Sequence, residues 1–199
     1  MSPSSINSAR VKQLFGLALL FACVLCIESK AQSNGQKQGP INKPWQELVS
    51  TEGHFSVLLP ETPEEQFVPV AGQIVSTEVH AYVVKTDVAT YAVLYGDFPD
   101  PAKDPDALRT AFDSGRERVL ASGSVRLVSE KDISTGNTPG RELVIEYGAQ
   151  VMKSRVFYRN RVLYQVLFVA PQVDGMSAEL VKFYDGLAAK FFGSFKIKT

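Results

Sequence analysis

An α+β domain built on an antiparallel sheet is the fold the sequence predicts. Three observations predict it. Strand-like and helix-like runs follow one another in the order strands, helix, strands, helix. The later strand runs are joined by Gly136-Asn137, Gly148-Ala149 and Asn160-Arg161, pairs that suit tight hairpins. The run Thr90 to Phe98 is apolar on both faces, Tyr91, Val93 and Tyr95 against Ala92, Leu94 and Phe98. Such a strand needs one packed layer above it and another below.

The chain has 199 residues and opens on a secretory signal peptide, residues 1–31. Arg10 and Lys12 form its positive start. Leu14 to Ile27 is an uncharged apolar run, shorter than the ~20 residues of a spanning helix. Ser29-Lys30-Ala31 places small residues where a signal peptidase cuts. A retained N-terminal anchor is the alternative reading. Cys26 follows Val24 and Leu25, which are not the small residues of a lipidation signal. Both cysteines, Cys23 and Cys26, lie in this leader. Cleavage therefore leaves no disulfide framework, thiolate nucleophile or zinc-thiolate site. Removing Arg10, Lys12, Lys30 and Glu28 leaves 18 basic and 20 acidic residues, a net charge of −2. That balance gives no electrostatic footprint for nucleic acid or an anionic membrane.

Residues 32–44 are polar, with two Gly and two Pro and no apolar periodicity. They read as a flexible tether. The folded domain spans residues 45–199 and begins at Trp45. Phe55 to Leu59 is a short strand, closed by Pro60 and Pro63. In Thr77 to Val84, Val79, Ala81 and Val83 share one face, and Glu78, His80 and Tyr82 the other. After Thr90 to Phe98, Asp104 is the N-cap of a helix over residues 105–122, with Pro105 at the first helical position. Leu108, Ala111, Phe112 and Val119 form its apolar stripe, with Gly115 on the same side and Gly123 as the stop.

Four strands follow, Val125 to Ser134, Arg141 to Tyr147, Val151 to Arg159 and Val162 to Val169, ended by Pro171. With Gly148-Ala149 as a type II′ turn, Tyr147 pairs with Gln150 and Glu142 lies opposite Arg155. This register gathers Leu143, Ile145, Met152, Val156 and Tyr158 with Leu163, Leu167 and Val169 on one face. Glu142, Glu146, Lys153 and Arg155 take the other, and a one-residue slip would exchange the two. The last helix runs from Ser177 to Phe192, with Val181, Tyr184, Leu187, Ala188 and Phe191 along one stripe. Phe191, Phe192 and Phe195 read as core at its end.

The constellations that could carry chemistry weigh less than their structural readings. The processed chain has two histidines, His54 and His80, where a histidine metal site usually needs two or three converging ligands. No serine sits in the glycine-flanked elbow that exposes a nucleophile. Asp97, Asp100, Asp104 and Asp106 crowd one loop but lack the alternating ligands and central glycine of a calcium loop, and the last two suit a helix start. Gly136 to Gly140 lacks the lysine and Ser/Thr of a phosphate loop and reads as a turn. Lys153, Arg155, Arg159 and Arg161, interleaved with Phe157, Tyr158 and Tyr164, could meet an acidic partner. Their simpler reading is a solvated sheet face with cross-strand ion pairs to Glu142 and Glu146.

Several stretches, taken in order, resemble a known family. They are Phe55-Ser56-Val57-Leu58-Leu59-Pro60; Tyr91-Ala92-Val93 with Asp97-Phe98-Pro99; Pro139-Gly140-Arg141-Glu142-Leu143; Asn160-Arg161-Val162-Leu163-Tyr164-Gln165; and Phe191-Phe192-Gly193-Ser194-Phe195-Lys196. Over roughly Trp45 to Ile197 the chain is similar to small exported bacterial proteins related in fold to the PsbP subunit of photosystem II. The resemblance implies an α/β/α sandwich around a central antiparallel sheet. It also implies a non-catalytic accessory or binding role, and it carries over no catalytic, cofactor or metal residue.

The functional expectation is a periplasmic or secreted binding or accessory module without cofactor. Its partner would be another envelope or secreted protein or a small ligand, with no nucleic acid and no membrane span after cleavage. The alternatives are an envelope hydrolase whose site is assembled from distant residues, and an envelope structural protein with a large exposed apolar patch. Mass spectrometry of the exported protein should give an N-terminus at Gln32. A chain still carrying Leu14 to Ile27 would be anchored instead.

Overall fold

The structure is a computed structural model that describes residues 44–69, 78–97, 105–121, 123, 125–172 and 175–198. The signal segment, most of the tether, Phe98 and the Asp104 cap lie outside the described residues. The elements are β1 (Gln46–Ser50), β2 (Phe55–Leu59), β3 (Glu64–Pro69), β4 (Glu78–Lys85), β5 (Thr90–Asp97), α1 (Pro105–Leu120), β6 (Val125–Thr135), β7 (Thr138–Tyr147), β8 (Gln150–Arg159), β9 (Val162–Pro171), α2 (Ala178–Ser194) and β10 (Lys196–Ile197). Seven strands form one sheet in the order β3-β4-β5-β9-β8-β7-β6, with every neighbouring pair antiparallel. A small sheet, β1-β2-β10, packs on one face beside α2. Helix α1 covers the other face. The result is the α/β/α sandwich that the resemblance implies.

The turns behave as their residues require. Gly136 and Gly148 take positive φ, 56° and 54°, at the first position of their hairpin turns, a conformation open to glycine. Asn160 and Arg161 are both left-handed, at 50° and 69°, the type I′ pattern. Turn geometry then sets register. Tyr147 faces Gln150, Ile145 faces Met152, Leu143 faces Ser154 and Glu142 faces Arg155. The expected apolar face is buried under α1. Gly123, with φ of 71°, donates its N–H to the Leu120 carbonyl and closes α1.

Two clusters flank the large sheet. Under α1, Ala111, Phe112 and Val119 meet Val79, Ala81, Leu94, Ile145 and Leu167. On the opposite face the packing is aromatic. Phe55 is fully buried, with ring centroids 5.7 Å from Tyr95, 5.7 Å from Phe195, 6.0 Å from Tyr82 and 6.3 Å from Tyr164. Tyr91 meets Trp45, Phe168 and Phe191 at 5.3–5.5 Å. The Ser194 hydroxyl, at the end of α2, accepts from the Leu58 N–H at 2.9 Å and donates to the Phe191 carbonyl at 2.7 Å, tying helix to small sheet. Phe191, Phe192 and Phe195 are core, as expected.

Three differences from the sequence expectation stand out. Strands β1, β3 and β10 have no counterpart in it: β10 has two residues, β1 is polar at three of its five positions, and β3 opens on Glu64-Glu65-Gln66 and ends on Pro69. Val181 does not join the buried stripe of α2. It is 45% exposed, with Leu180 and Phe183 also exposed, because the helix leans on the sheet only through its second half. The basic face of β8 is not simply solvated but lies under α2, where Lys153 reaches Asp185 at 2.6 Å.

Phe55→Ala should cost about 3–5 kcal/mol, because it opens a cavity where four aromatic rings meet. Val181→Ala, at an exposed position, should change stability by less than about 0.5 kcal/mol. Urea denaturation of both variants checks the contrast.

Candidate functional site

The polar cluster with the least structural explanation surrounds His80. Strand pairing builds it: Phe67 of β3 faces His80 of β4, His80 faces Tyr95 of β5, and Glu65 faces Tyr82. Directly opposed residues share a face, so all five side chains emerge on the side that carries the small sheet. The β1–β2 turn adds Glu52, and the end of β1 adds Ser50, whose hydroxyl accepts from the Gly53 N–H at 3.0 Å.

The imidazole of His80 stacks on Tyr95, at 4.7 Å between centroids and 17° between planes, and meets Phe67 edge-on at 4.9 Å. A carboxylate stands at each of its nitrogens. Glu52 Oε1 is 3.8 Å from Nε2 and Glu65 Oε1 is 3.7 Å from Nδ1, both beyond hydrogen-bond length. His80 Nδ1 is buried without a hydrogen bond, and the buried Tyr95 hydroxyl lies against Ser50 and Tyr82. Burial pushes the Tyr95 hydroxyl up to about 12, though Ser50 beside it pulls the other way. Tyr82 is raised as well, first by desolvation. Both phenols therefore stay protonated. Among the described residues neither Glu52 nor Glu65 has a lysine or arginine partner.

The other sequence candidates are placed as follows. His54 is exposed in the β1–β2 turn with φ of 51°, and its carbonyl accepts from the Lys198 N–H at 2.7 Å. Among the described residues no three His, Cys, Asp or Glu side chains converge as metal ligands do. Asp97 pairs with Arg161 at 3.4 Å and Asp106 sits in the first turn of α1, whereas Asp100 and Asp104 lie outside the described residues. Gly136 to Gly140 forms the β6–β7 turn and the start of β7.

The basic hairpin is engaged internally. Arg155 donates to Glu142 at 2.6 Å and lies 4.4 Å from the Phe192 ring centroid. Glu142 is 7% exposed and also meets Lys131 at 2.7 Å. The pair is thus buried on one side, where exposure was expected. A shallow cleft of about 260 Å³ opens beside it, lined by Ser134, Thr135, Arg155, Phe192 and Gly193 among others. Its one cation is already neutralised by Glu142, and it lies at the C-terminal end of α2, which disfavours anions.

No family model matches the chain, and no curated protein matches it. Solved structures do. Cyanobacterial PsbP (CyanoP) from Synechocystis sp. PCC 6803 superposes with a TM-score of 0.52 at 16% identity, covering 82% of this chain and 98% of that one. A protein of unknown function from Pseudomonas aeruginosa reaches 0.36 at 10% identity, over 72% of this chain and 90% of its own. A Bacteroides thetaiotaomicron protein reaches 0.33 at 12% identity, over 77% and 48%. The class is an α+β sandwich around a seven-stranded antiparallel sheet. Its fold, shared with the cyanobacterial protein, is PsbP-like. No helix among the described residues is long and apolar enough to cross a membrane.

Of the His80 cluster, the sequence singled out the histidine and, on its strand, Tyr82. Glu52, Glu65, Phe67 and Tyr95 were not assembled around it. Strand pairing of β4 with β5 could have placed Tyr95, but Glu52 arrives from the β1–β2 turn, and β1 has no sequence signature.

Burial alone would raise the Glu142 carboxyl, but hydrogen bonds from Lys131 and Arg155 overbalance it and hold it below the usual range. A depressed carboxyl stabilises the fold above its unfolded value, about 4.3, and that stability is lost as pH falls through the lower folded value. Urea midpoints should therefore fall below about pH 4. Glu142→Gln should cost about 1–3 kcal/mol at pH 7 and show a shallower acid limb. Identical acid limbs for both proteins would contradict this role.

Proposed function

We propose that this chain is an exported, non-catalytic binding or accessory module, working in the periplasm or outside the cell with another envelope or secreted protein or a small ligand. One observation carries the reading. The His80 cluster combines aromatic faces with two carboxylates that face the histidine rather than a lysine or arginine, a composition suited to recognition. Its histidine has a carboxylate at each nitrogen, so no nucleophile stands where a general base would need one. The tyrosines beside it keep their protons near neutral pH and supply no base.

The test has two arms. Pull-down from an envelope extract of the source cell should enrich one partner reproducibly. Screens with generic ester, phosphate and glycoside substrates should give no turnover. Turnover that survives purification and vanishes in His54→Ala or His80→Ala would replace this reading with the hydrolase.

A further inference from the structure

We infer that the outward face of α2 is a homodimer contact, on which a second copy of this chain packs its own α2 antiparallel about a two-fold axis. The inference goes beyond the binding-module reading and uses none of the His80 cluster.

Helical spacing defines the face. Glu179, Phe183, Gly186 and Lys190 follow one another at steps of four, three and four residues, so they form one stripe along α2. Ala188, Phe191 and Phe192, which are buried against the sheet, lie on the opposite side of the helix. All four stripe residues are exposed. Two of them are out of place on a solvated helix face. Phe183 is large, apolar and 39% exposed where a polar residue is expected, and its ring meets Tyr184 edge-on at 5.5 Å. Glycine in a helix interior is destabilising relative to alanine. Nothing inside the chain requires one at Gly186, because a Cβ there would meet no atom within 4 Å.

The stripe is complementary to itself when reversed. A two-fold axis midway between Tyr184 and Asp185 sets Phe183 opposite Gly186 of the second copy, and the same axis sets Glu179 opposite its Lys190. Symmetry makes each pairing occur twice. The phenylalanine ring enters the gap that the glycine leaves, and the missing side chain lets the helices approach. Opposite charges meet at the two ends of the contact. A parallel arrangement would instead set Glu179 against Glu179 and Lys190 against Lys190, which selects the antiparallel one. Both end groups are already held in the single chain. The Ser177 hydroxyl donates to Glu179 at the helix start, and Lys190 Nζ lies 4.4 Å from the Trp45 ring centroid. Pairing them therefore costs less side-chain entropy than joining two free side chains. Exposed Leu180 and half-buried Leu187 border the stripe and add apolar area. A single helix pair buries less than the ~1,200–2,000 Å² of a stable interface, so the dimer exchanges with monomer.

Sedimentation velocity of the purified exported protein over a concentration series tests the contact. The expected result is a monomer–dimer equilibrium with a Kd on the order of 10–100 µM, in line with a small interface. Phe183→Ala should weaken the dimer about tenfold or more. Gly186→Leu fills the gap from outside, so it should abolish dimerisation without lowering the melting temperature of the monomer. Glu179→Lys and Lys190→Glu, each alone, should weaken the dimer about tenfold or more, and the two together should restore it. Damage to the fold cannot produce that restoration, and circular dichroism verifies that each variant is folded. A chain that stays monomeric up to about 1 mM would overturn the proposal, even if the same face proved to bind another envelope protein or a lipid vesicle. So would a dimer indifferent to Gly186→Leu, or a double charge variant no more dimeric than its single parents. None of these outcomes touches the binding-module reading, which the pull-down decides.

Discussion

Strand β9 imposes the constraint on which the architecture rests. From Leu163 to Ala170 every residue is buried, so neither face of the strand can meet water. An antiparallel sheet can leave one face solvated, but a central strand apolar on both sides forbids it. Its partner β5 is buried without a break from Tyr91 to Gly96. Two layers must follow, and the chain supplies α1 on one face and α2 with the small sheet on the other. Within β9 one polar side chain is held inside, Gln165. Its amide donates to the Ser154 hydroxyl at 3.1 Å, and both residues are fully buried. A register slip between β8 and β9 would break that bond and bury two unpaired polar groups. The pair thus adds specificity to a register that hydrophobic burial already favours.

The two layers are held by different physics. Helix α1 is pinned by a polar network as well as by its apolar stripe. Arg141, on the buried face of β7, bonds Asp113 of α1 together with Glu130 and Asp132 of β6, and Arg116 of α1 reaches Glu130 at 2.9 Å. Desolvation opposes the Arg141 charge, but the carboxylates around it outweigh this and raise its already high pKa. A guanidinium only 8% exposed and so surrounded would be expensive to strip of its partners. Helix α2 is held by rings. Phe191 and Phe192 are buried, Arg155 lies over Phe192, and Lys190 lies over Trp45 at 4.4 Å. The first turns of α2, carrying exposed Leu180, Val181 and Phe183, have no such anchor.

What was legible in the sequence and what was not divide along physical lines. The hairpins from β6 to β9 were legible because glycine and asparagine at the turns set the register and the alternation of side chains then set the faces. Ile145 against Met152 and Glu142 against Arg155 follow from that counting. Helix α1 was legible from its stripe. The small sheet was not, because β1 and β10 contribute too few apolar positions for any period to emerge. They become strands only because β2 lies between them and buries Phe55, Val57 and Leu59. The burial of Glu142 was illegible too: alternation puts it on the polar face, and only the position of α2 turns that face into a half-buried one. The extent of burial along α2 was equally a tertiary outcome, set by where the helix leaves the sheet.

The same reasoning explains why the candidate site was nearly invisible and why it stands out once folded. Natural sequences are locally consistent, and departures from that consistency collect where function overrides stability. Around His80 the departures coincide. A phenylalanine is exposed on an edge strand, and two carboxylates face a histidine rather than a lysine or arginine. Each is tolerable alone. Elsewhere on the same sheet face the chain resolves such problems: Glu142 has Arg155 and Lys131, and Asp185 has Lys153. Phe67, Glu52 and Glu65 gather where the β1–β2 turn meets the β3 edge.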